Sequence, residues 1–493
     1  MPSFRPRRPA VVGAFILMAA AAAPLWAAEP ASDAELHRML VTRVDSQKLA
    51  TGIVIGIVEP SGRRIVSYGT LGLDDKRPVD GDTEFGIGSL TKVFTALLLS
   101  DMARHGQLSL DDPAARYLPA GRVSLPRFEG KPITLADLAT HTAGFPIRPT
   151  NLKSDWAKQD EMGQMMVTQY KEYEGYTLDD LYSFVSSFTL KQAPGTHYEY
   201  SNVNYGLLGI AESTRAGKPY GELVQSTILD PLAMHDTHMQ LPPPLQPRLA
   251  MGYTAFYGQL SAAPPEPMGP LDAAGAYYST ADDLSRFLAA VLGLERSDLK
   301  PAMDAMLDVR HPGGMTPFGP PAGTDQIALA WNVHTDGDHQ VVWKNGSVSG
   351  YRAFMGYDPK RRIGVVALAN AQSGPGVDDI GLHLLDPHLP VDLTVPKFYA
   401  QVPMDAATLE RYAGTYRFSP TDAITVVRRG DHLYLTEPGQ PKLEMFAYGP
   451  QDFFLKIADA QASFSEVKDG HAMKVIWHQG GQDSPGTRVD DAH

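Results

Sequence analysis

The sequence of 493 residues predicts an α+β domain followed by a small all-β domain. Strand patterns occur at residues 53–69 and again at 329–369, with mostly helical patterns between them. Strands so far apart along the chain indicate one sheet assembled from both ends of this region. The stretch 384–403 contains four prolines and indicates a linker. Beyond it, short β runs follow one another at near-regular spacing, as in a small barrel or sandwich.

The composition excludes several classes of protein. Hydrophobic residues make up 43% of the chain and charged residues 20%, which is typical of a globular protein and not of a disordered or collagen-like one. The formal charge of −13 argues against a nucleic-acid partner, since phosphate contacts need clustered lysine and arginine. The chain contains no cysteine. This excludes disulfides, thiolate zinc sites, iron–sulfur clusters, a cysteine nucleophile and a lipoprotein anchor.

The N-terminus has the pattern of a secretory signal peptide. Three arginines within the first eight residues precede an apolar run from Ala10 to Ala23, and Leu25-Trp26-Ala27 then offers a small residue at the cleavage point. The apolar run is shorter than the roughly 20 residues that a membrane-spanning helix needs. We therefore expect cleavage near Ala27 and an exported protein, periplasmic or secreted, with no membrane span in the mature chain.

The first predicted elements are a hairpin and a helix. Strand patterns at Ile53–Val58 and Arg64–Gly69 flank a turn that contains Pro and Gly. A helical pattern begins at Ser89, where apolar residues recur at helical spacing, and Gly106 ends it. Residues 110–240 are predicted to be mostly helical.

Two regions of the remaining chain differ in pattern from this helical part. The segment 154–191 is rich in Asp, Glu, Gln and Tyr and is predicted to be a solvated helical insertion. After it, four runs have the pattern of strands separated by turns: Leu329–Val333, Val341–Trp343, Tyr351–Tyr357 and Ile363–Ala369.

The C-terminal region is predicted to contain about seven short strands. They are Gly414–Phe418, Ile424–Arg428, Leu433–Thr436, Leu443–Phe446, Phe453–Ile457, Ala462–Glu466 and Lys474–His478. The predicted boundaries are a signal peptide at 1–27, a first domain at 28–383, a linker at 384–403, a second domain at 404–482 and a flexible tail at 483–493.

Three groups of residues are candidates for chemistry, and the first is Ser89-Leu90-Thr91-Lys92 at the start of the predicted helix. Ser and Lys three residues apart share one helical face, so their side chains are within mutual reach. A serine hydroxyl becomes an effective nucleophile when a base removes its proton, and a desolvated lysine can help to do so. Taken alone, the spacing is a weak signal and better fits a serine near an N-cap with an exposed lysine.

The second group is Tyr200-Ser201-Asn202, which precedes an apolar run from Tyr205 to Ile210. A tyrosine can act as a general base where a nearby cation lowers its pKa. Taken alone, the group also fits a core or capping tyrosine followed by a turn.

The third group is Lys344-Asn345-Gly346-Ser347, beside a predicted strand. A lysine followed by small residues can present a cation and backbone N–H donors to a substrate carboxylate and an oxyanion. The alternative is an Asn-Gly turn with an exposed lysine.

The order of the three groups resembles that of the serine β-lactamases and penicillin-binding proteins, in which Ser-x-x-Lys, Tyr-x-Asn and Lys-Thr-Gly follow one another. The class C branch, with its D-alanyl-D-alanine carboxypeptidases and endopeptidases, is the most similar. The resemblance covers roughly residues 35–375 and is carried by Phe85–Lys92, His141–Pro146, Tyr198–Asn202, Tyr278–Leu284 and Trp343–Asn370. It implies a beta-lactamase/transpeptidase-like fold: a mixed antiparallel sheet flanked by helices, plus a helical subdomain.

The C-terminal region resembles the small lipocalin-like barrel that follows the catalytic domain in some relatives of this family. Tyr412-Ala413-Gly414-Thr415-Tyr416 carries this likeness. In such relatives the barrel covers or shapes the active site or mediates assembly. The alternative is a domain that contributes only stability.

The resemblance implies a catalytic role for three residues. Ser89 would be the acylated nucleophile and Lys92 its activating partner. Tyr200 would be the second base and later the proton donor to the leaving group. No metal and no organic cofactor are implied for such acyl transfer.

The resemblance also implies how substrate is bound. Asn202 would hold a substrate side-chain carbonyl, and Lys344 would orient the catalytic tyrosine and a substrate carboxylate. Gly346 belongs to the same stretch, and the backbone N–H of Ser347 would form the oxyanion hole together with that of the nucleophile. Asn345 replaces the usual threonine and is bulkier and less adaptable than a hydroxyl, which puts binding of a carboxylate in question.

Two histidine sites have weaker support. His141 suggests a Ser–His pair, but in the family that the sequence resembles this position ends a helix and is structural. His235 and His238 suggest a metal site, but they lack a convincing third ligand.

Four functions are compatible with these observations. The first is an exported, penicillin-binding D,D-peptidase, a carboxypeptidase or endopeptidase, on peptidoglycan-type D-alanyl peptides. The second is a class C-like β-lactamase, and the third an esterase, amidase or D-amino-acid peptidase on other small substrates. The fourth is a silent binding scaffold, against which the joint presence of Ser89, Lys92 and Tyr200 argues. The partner would thus be a D-alanyl peptide, a β-lactam or an ester, and the oligomeric state stays open.

Overall fold

The computed structural model describes most of the chain. The described residues are 31–154, 159–162, 165, 171–256, 258–264, 268–315, 325–337, 339–374, 376–436 and 441–489. The expected signal peptide lies outside them. No helix in these ranges is both long and apolar enough to cross a membrane.

Ten α-helices lie within the described ranges. They are α1 (Asp33–Val41), α2 (Thr91–Arg104), α3 (Leu135–Ala139), α4 (Leu178–Ser187), α5 (Asn202–Ala216), α6 (Tyr220–Val224), α7 (Ala281–Val291), α8 (Lys300–Ala305), α9 (Asp378–Leu385) and α10 (Ala406–Glu410). Short 3-10 or π-helical turns lie at Thr42–Ser46, Gly88–Leu90, Ala114–Tyr117, Gln225–Leu229, Gln246–Arg248 and Gly269–Ala274.

The first domain is built around an eight-stranded sheet. The strands before the linker are β1 (Gly52–Glu59), β2 (Gly62–Gly69), β3 (Phe85–Gly86), β4 (Tyr253–Phe256), β5 (Gln259–Ala262), β6 (Tyr278–Ser279), β7 (His311–Pro312), β8 (Gln326–Ile327), β9 (Asn332–Asp336), β10 (His339–Val348), β11 (Tyr351–Asp358), β12 (Ile363–Ala369) and β13 (Ala371–Gln372). The order in the sheet is β2-β1-β12-β11-β10-β9-β8-β7, and each neighbouring pair is antiparallel. The prediction of one sheet from distant segments is confirmed.

Strand β1 shows why the sheet needs helices on both faces. Its sequence is a nearly continuous apolar run, and it lies between β2 and β12, with Ile53 opposite Ala369. Alternate side chains of a strand point to opposite faces. Accordingly, Ile53 and Ile55 pack in a core with α1 and α9, whereas Val54 packs in the larger core with α2, α5 and α7.

A buried ion pair fixes α9 to the N-terminal helix and to the linker. The Arg43 guanidinium, which has no solvent exposure, donates to both carboxylate oxygens of Asp379, at 3.2 and 2.8 Å. It also donates to the backbone carbonyls of Gly376 and Asp392. The Asp392 N–H donates back to Asp379 at 2.9 Å. These bonds offset the cost of desolvating both charges and hold the linker, at Asp392, against the first domain.

The C-terminal domain is a closed antiparallel barrel of eight consecutive strands. They are β14 (Gly414–Ser419), β15 (Asp422–Arg429), β16 (His432–Thr436), β17 (Leu443–Ala447), β18 (Asp452–Leu455), β19 (Ala460–Lys468), β20 (His471–Gln479) and β21 (Gln482–Val489). Each strand pairs with the next, and β21 returns to pair with β14. Tyr416, Phe453 and Phe464 lie in its apolar core.

The last strand corrects the sequence prediction. We expected seven strands and a flexible tail from residue 483, but β21 occupies most of that tail. Its sequence is polar and its side chains are mostly exposed, so it lacks the apolar alternation by which strands are recognised. Backbone pairing is the reason it is ordered, because without it β14 and β20 would each keep an open edge.

The insertion at residues 154–191 also differs from expectation. Part of it pairs with the barrel instead of lying in solvent. The Lys442 N–H donates to the carbonyl of Asp160 at 2.6 Å, and the Met162 N–H donates to the carbonyl of Lys442 at 2.9 Å. The Lys442 ammonium and the Arg429 guanidinium contact the Asp160 carboxylate. The insertion therefore connects the first domain with the barrel.

We predict that Arg43→Met lowers the free energy of unfolding of the first domain by about 3–5 kcal/mol, because it leaves the Asp379 carboxylate buried without its partner. The control is Arg63→Met. Arg63 pairs with Glu295 at 3.4 Å and both side chains are partly exposed, so its loss should cost about 1 kcal/mol or less. Urea unfolding followed by helical circular dichroism measures both, since the helices lie mainly in the first domain. Equal losses in the two variants would contradict the prediction.

Candidate active site

Ser89 lies at the beginning of α2 and lines a cavity of about 300 Å³. It is the middle residue of the turn Gly88–Leu90. Gly88 has a φ of 49°, in the left-handed region that favours glycine. A Cβ at Gly88 would lie 2.7 Å from the backbone nitrogen of Ser347. Glycine at this position therefore allows strand β10 to approach the serine turn.

A second glycine completes this close approach from the side of β10. A Cβ at Gly346 would overlap the carbonyl oxygen of Ile87 and would lie 3.0 Å from the backbone nitrogen of Ser89. Two glycines in facing segments thus let the backbones run side by side. As a result Ser89 and Ser347 line the same part of the cavity.

Lys92 is completely buried below Ser89. Its Nζ lies 3.0 Å from Ser89 Oγ, 2.8 Å from Asn202 Oδ1 and 2.7 Å from the carbonyl oxygen of Ala274. Burial, and secondarily the nearby charge of Lys344, holds the pKa of Lys92 well below its ordinary value. Three segments that are distant in sequence thus meet at one amine.

Tyr200 is the second side chain that contacts the Ser89 hydroxyl, and it does so as a hydrogen-bond donor. Its hydroxyl donates to Ser89 Oγ at 2.6 Å. Burial raises the pKa of Tyr200 above its ordinary value, although the hydrogen bond to Ser89 and the charge of Arg352 act in the lowering direction. The expected effect, a cation that lowers the pKa of the tyrosine, is therefore present but smaller than the effect of burial.

His141 holds the segment that carries Tyr200. Its ring lies against the Tyr200 ring, with 4.4 Å between centroids. The Ser201 N–H donates to His141 Nδ1 at 3.1 Å, and the Glu199 N–H donates to the His141 carbonyl at 2.8 Å. Burial and the proximity of Lys92 and of a second lysine lower its pKa well below the ordinary value, so the ring is neutral. His141 contacts the backbone on both sides of the tyrosine, and no described hydrogen bond joins it to Ser89.

Lys344 is buried on β10 below the cavity. Its Nζ lies 4.9 Å from the centroid of the Tyr200 ring, so it faces the ring and not the hydroxyl. It donates to the carbonyl of Asn345 at 3.2 Å and approaches the sulfur of Met315 at 4.0 Å. Burial lowers the pKa of Lys344 to about 7, an effect that Asp378 opposes and Arg352 reinforces.

The side chain of Asn345 is bound by Asp378, the first residue of α9. Asn345 Nδ2 donates to Asp378 Oδ2 at 2.5 Å. The same carboxylate accepts from Arg352, Nε to Oδ1 at 3.0 Å and Nη2 to Oδ2 at 2.5 Å. The residue that replaces threonine in the third motif is therefore part of a polar cluster, Asn345–Asp378–Arg352, at the edge of the cavity.

Several residues of the cavity were not found from the sequence. Asn202 Nδ2 donates to the hydroxyl of Tyr173 at 3.1 Å, and Tyr173 and Glu172 both belong to the insertion that we expected to be solvated. Glu172 accepts from Arg148 at 3.1 Å. An aromatic residue within an acidic, polar segment is the one sequence signal that could have indicated this wall of the cavity.

The structure brings the predicted site residues together. Those that line the cavity are Ser89, Tyr200, Asn202, Asn345, Gly346 and Ser347, while Lys92 and Lys344 lie buried below it. His235 and His238 lie elsewhere, and the described residues contain no group of three or more potential metal ligands.

Comparison with known proteins matches both domains to families. Residues 38–387 match the family described as Beta-lactamase. Residues 400–488 match a domain of unknown function, DUF3471. The first match covers more than half of the chain, and the second includes every strand of the barrel apart from the final residue of β21.

The chain is similar to two curated proteins over 66–71% of its length. The D-alanyl-D-alanine-carboxypeptidase/endopeptidase AmpH of Escherichia coli (strain K12) is 27% identical over 359 residues, which are 71% of this chain and 88% of AmpH. A protein of Pseudomonas fluorescens named Beta-lactamase is 26% identical over 351 residues, 66% of this chain and 89% of that protein.

One solved structure is similar over both domains. It is that of an octameric penicillin-binding protein homologue from Pyrococcus abyssi, with a TM-score of 0.60 and 24% identity. The match covers 93% of this chain and 100% of that one. At this identity the likeness shows the fold: a beta-lactamase fold followed by the closed barrel.

We predict that the Lys344 side chain titrates near neutral pH, because burial disfavours its charged form. It should be an ammonium below about pH 7 and a neutral amine above it. The Cε chemical shift of isotope-labelled lysine, followed against pH, measures this directly. Lys344→Met should remove the signal with the midpoint near 7, whereas Lys48→Met, which changes a lysine next to Phe398 of the linker and outside the cavity lining, should leave that signal in place. A spectrum in which Lys344→Met removes only an ordinary signal would contradict the assignment.

Proposed function

The chain belongs to the beta-lactamase family of serine hydrolases, and from this premise we propose that it is an exported D,D-peptidase that cleaves D-alanyl peptides of the peptidoglycan type. Ser89 would attack the carbonyl carbon of the peptide bond and form an ester with the acyl group while the amine leaves. Water would then release the acid and regenerate Ser89. The observation that carries this proposal is the position of Ser89 Oγ between the Lys92 amine and the Tyr200 hydroxyl.

The surroundings of Lys92 support its role as the base. A neutral amine has two hydrogens and one lone pair. Two of its three neighbours, Asn202 Oδ1 and the carbonyl of Ala274, are acceptors only and take the two hydrogens. With the pKa of Lys92 lowered by burial, the lone pair then faces the Ser89 hydroxyl. Lys92 is thus arranged to accept the serine proton as Oγ attacks.

The state of Tyr200 supports a role as proton donor. Since burial keeps its pKa above the ordinary value, the phenol carries its proton at neutral pH. Its hydroxyl already donates to Ser89 Oγ, next to the position where the leaving nitrogen separates. Tyr200 would therefore protonate the leaving amine. During deacylation the attacking water would return a proton to Tyr200, and Lys92 would return its proton to Ser89 Oγ as the ester is cleaved.

The backbone supports stabilisation of the tetrahedral intermediate. The close approach at Gly88 and Gly346 brings the Ser89 and Ser347 segments to one wall of the cavity. Their N–H groups would donate to the negative oxygen that develops during attack. Such donors are already fixed in place, so little reorganisation is needed when charge appears.

The substrate class is supported by the named relatives. AmpH is named a D-alanyl-D-alanine-carboxypeptidase/endopeptidase, and its match covers 71% of this chain. Peptidoglycan lies outside the cytoplasm, which agrees with our proposal that residues 1–27 are a signal peptide and that the mature enzyme is periplasmic or secreted. We further propose the domain boundaries 28–383 and 404–482, joined by the linker, with the second domain extended by β21.

A second candidate function is an esterase or D-amino-acid peptidase. The observation that favours it is the bond between Asn345 and Asp378, because the amide is not directed to a substrate carboxylate as a threonine hydroxyl would be. A β-lactamase, the name of the Pseudomonas fluorescens relative, would share the acyl-enzyme and differ in releasing it rapidly.

We predict that the protein forms a covalent adduct with penicillin on Ser89, visible as an increase in intact mass. A D,D-peptidase should hold the adduct, because its water is not positioned to clear a β-lactam ester, and should release D-alanine from a D-alanyl-D-alanine peptide. Ser89→Ala should abolish adduct and release, whereas Ser61→Ala, in the turn between β1 and β2, should keep both. A transient adduct with accumulating penicilloate would indicate a β-lactamase. Cleavage of esters without any adduct or D-alanine release would indicate the esterase.

We predict that Tyr200→Phe slows cleavage of an amide bond by about 10²–10⁴-fold and affects a thioester much less, because a thiolate leaves without being protonated. Single-turnover acylation rates on an amide and a thioester with the same acyl group measure the difference. The control is Tyr198→Phe: the Tyr198 hydroxyl is buried and has no hydrogen-bond partner among the described residues. Equal slowing of both substrates by Tyr200→Phe would contradict the role of proton donor.

A further inference from the structure

Arg352 is a cavity residue for which the catalytic scheme has no use. It is the second residue of β11 and pairs across the sheet with Ser347, which lines the same cavity as Ser89. Its side chain is about one-fifth exposed and lines the same cavity as Ser89. Its charge opposes the burial that raises the pKa of Tyr200 and adds to the burial that lowers the pKa of Lys344, so it acts electrostatically on both side chains.

Asp378 fixes the orientation of this guanidinium. The two donors Nε and Nη2 form a two-point contact with the carboxylate. The remaining nitrogen, Nη1, has no hydrogen-bond partner among the described residues. A guanidinium held along one edge presents its other edge in a defined direction, and a planar oxyacid fits that edge.

The neighbouring polar groups leave Arg352 as the receptor for an anion. Asn345 commits one of its two amide hydrogens to Asp378, which holds the amide against that carboxylate. Lys344 is buried, with a pKa of about 7, and donates to the Asn345 carbonyl. Arg148, the other arginine of the cavity lining, is paired with Glu172. A guanidinium also matches the planar geometry of a carboxylate, which the ammonium of a lysine does not.

We propose that Arg352 receives a carboxylate of the substrate, with Asp378 as its positioning residue, so that the enzyme prefers substrates with a free carboxylate next to the scissile bond. This inference rests on the proposed function and narrows it to carboxypeptidase-type cleavage at a free C-terminus. The cluster Asn345–Asp378–Arg352 thus takes over the role that the substituted threonine of the third motif would have had.

The test compares two thioesters with the same acyl group, one with a carboxylate on the leaving group and one with the corresponding amide. Wild-type enzyme should have a higher kcat/KM for the acid. Arg352→Met should lower the acid-to-amide ratio by about 10- to 100-fold, mainly through KM, as expected for the loss of a charge-assisted contact. Arg352→Lys should give an intermediate ratio, because the charge stays while the fork is lost.

Two comparisons keep the outcomes separate. Arg116→Met removes another Arg–Asp pair, on the surface and away from the cavity, and should leave the ratio unchanged. The inference is overturned if wild-type enzyme does not distinguish acid from amide, or if Arg352→Met slows both equally. The thioester pair is cleaved by peptidase and esterase alike, so it tests Arg352 even where no D-alanine is released from peptides. Failure to release D-alanine from peptides would refute the proposed D,D-peptidase function and would leave the inference about Arg352 standing.

Discussion

The burial of one amine is the constraint on which the site depends. Lys92 has no contact with solvent, and its three hydrogen-bond neighbours come from the serine turn, from α5 and from the turn that ends at Ala274. A charged ammonium would be costly at this depth, so the fold that encloses Lys92 lowers its pKa and favours the neutral amine. The large core of α2, α5 and α7 against the sheet therefore has a chemical effect as well as a structural one.

A single helix start connects this site to the periphery of the molecule. Asp378 and Asp379 are adjacent residues at the beginning of α9, yet they face different partners. Asp378 holds Arg352 and Asn345 at the cavity, while Asp379 holds Arg43 and the linker backbone. Because neighbouring side chains on a helix diverge by about 100°, one turn of helix serves both clusters. The geometry of the cavity edge is thereby coupled to the N-terminal helix and to the chain that leads into the barrel.

The sequence predicted features whose signals are local and missed those that depend on tertiary pairing. The proximity of Ser89 and Lys92 could be predicted because residues three apart share a helical face. The sheet could be predicted because β1 and β12 are continuous apolar runs. In contrast, no sequence pattern predicts that Arg352 and Asp378 are in contact. Tyr173, which contacts Asn202, lies in a polar segment that has the composition of a solvated surface. β21 has no apolar alternation at all, and only its position between β20 and β14 makes it a strand.

The topology also sets an order of events during synthesis. The barrel strands each pair with the next along the chain, so the barrel has local contacts and can close as soon as its strands are available. Strand β1, however, waits for β12, about 300 residues later, which takes roughly 15–60 s at cellular rates of elongation. During that interval an almost wholly apolar strand has one unpaired edge, the kind of surface from which intermolecular β-sheets grow. The nascent chain therefore needs a chaperone, or an unfolded state maintained until residue 369 has been made.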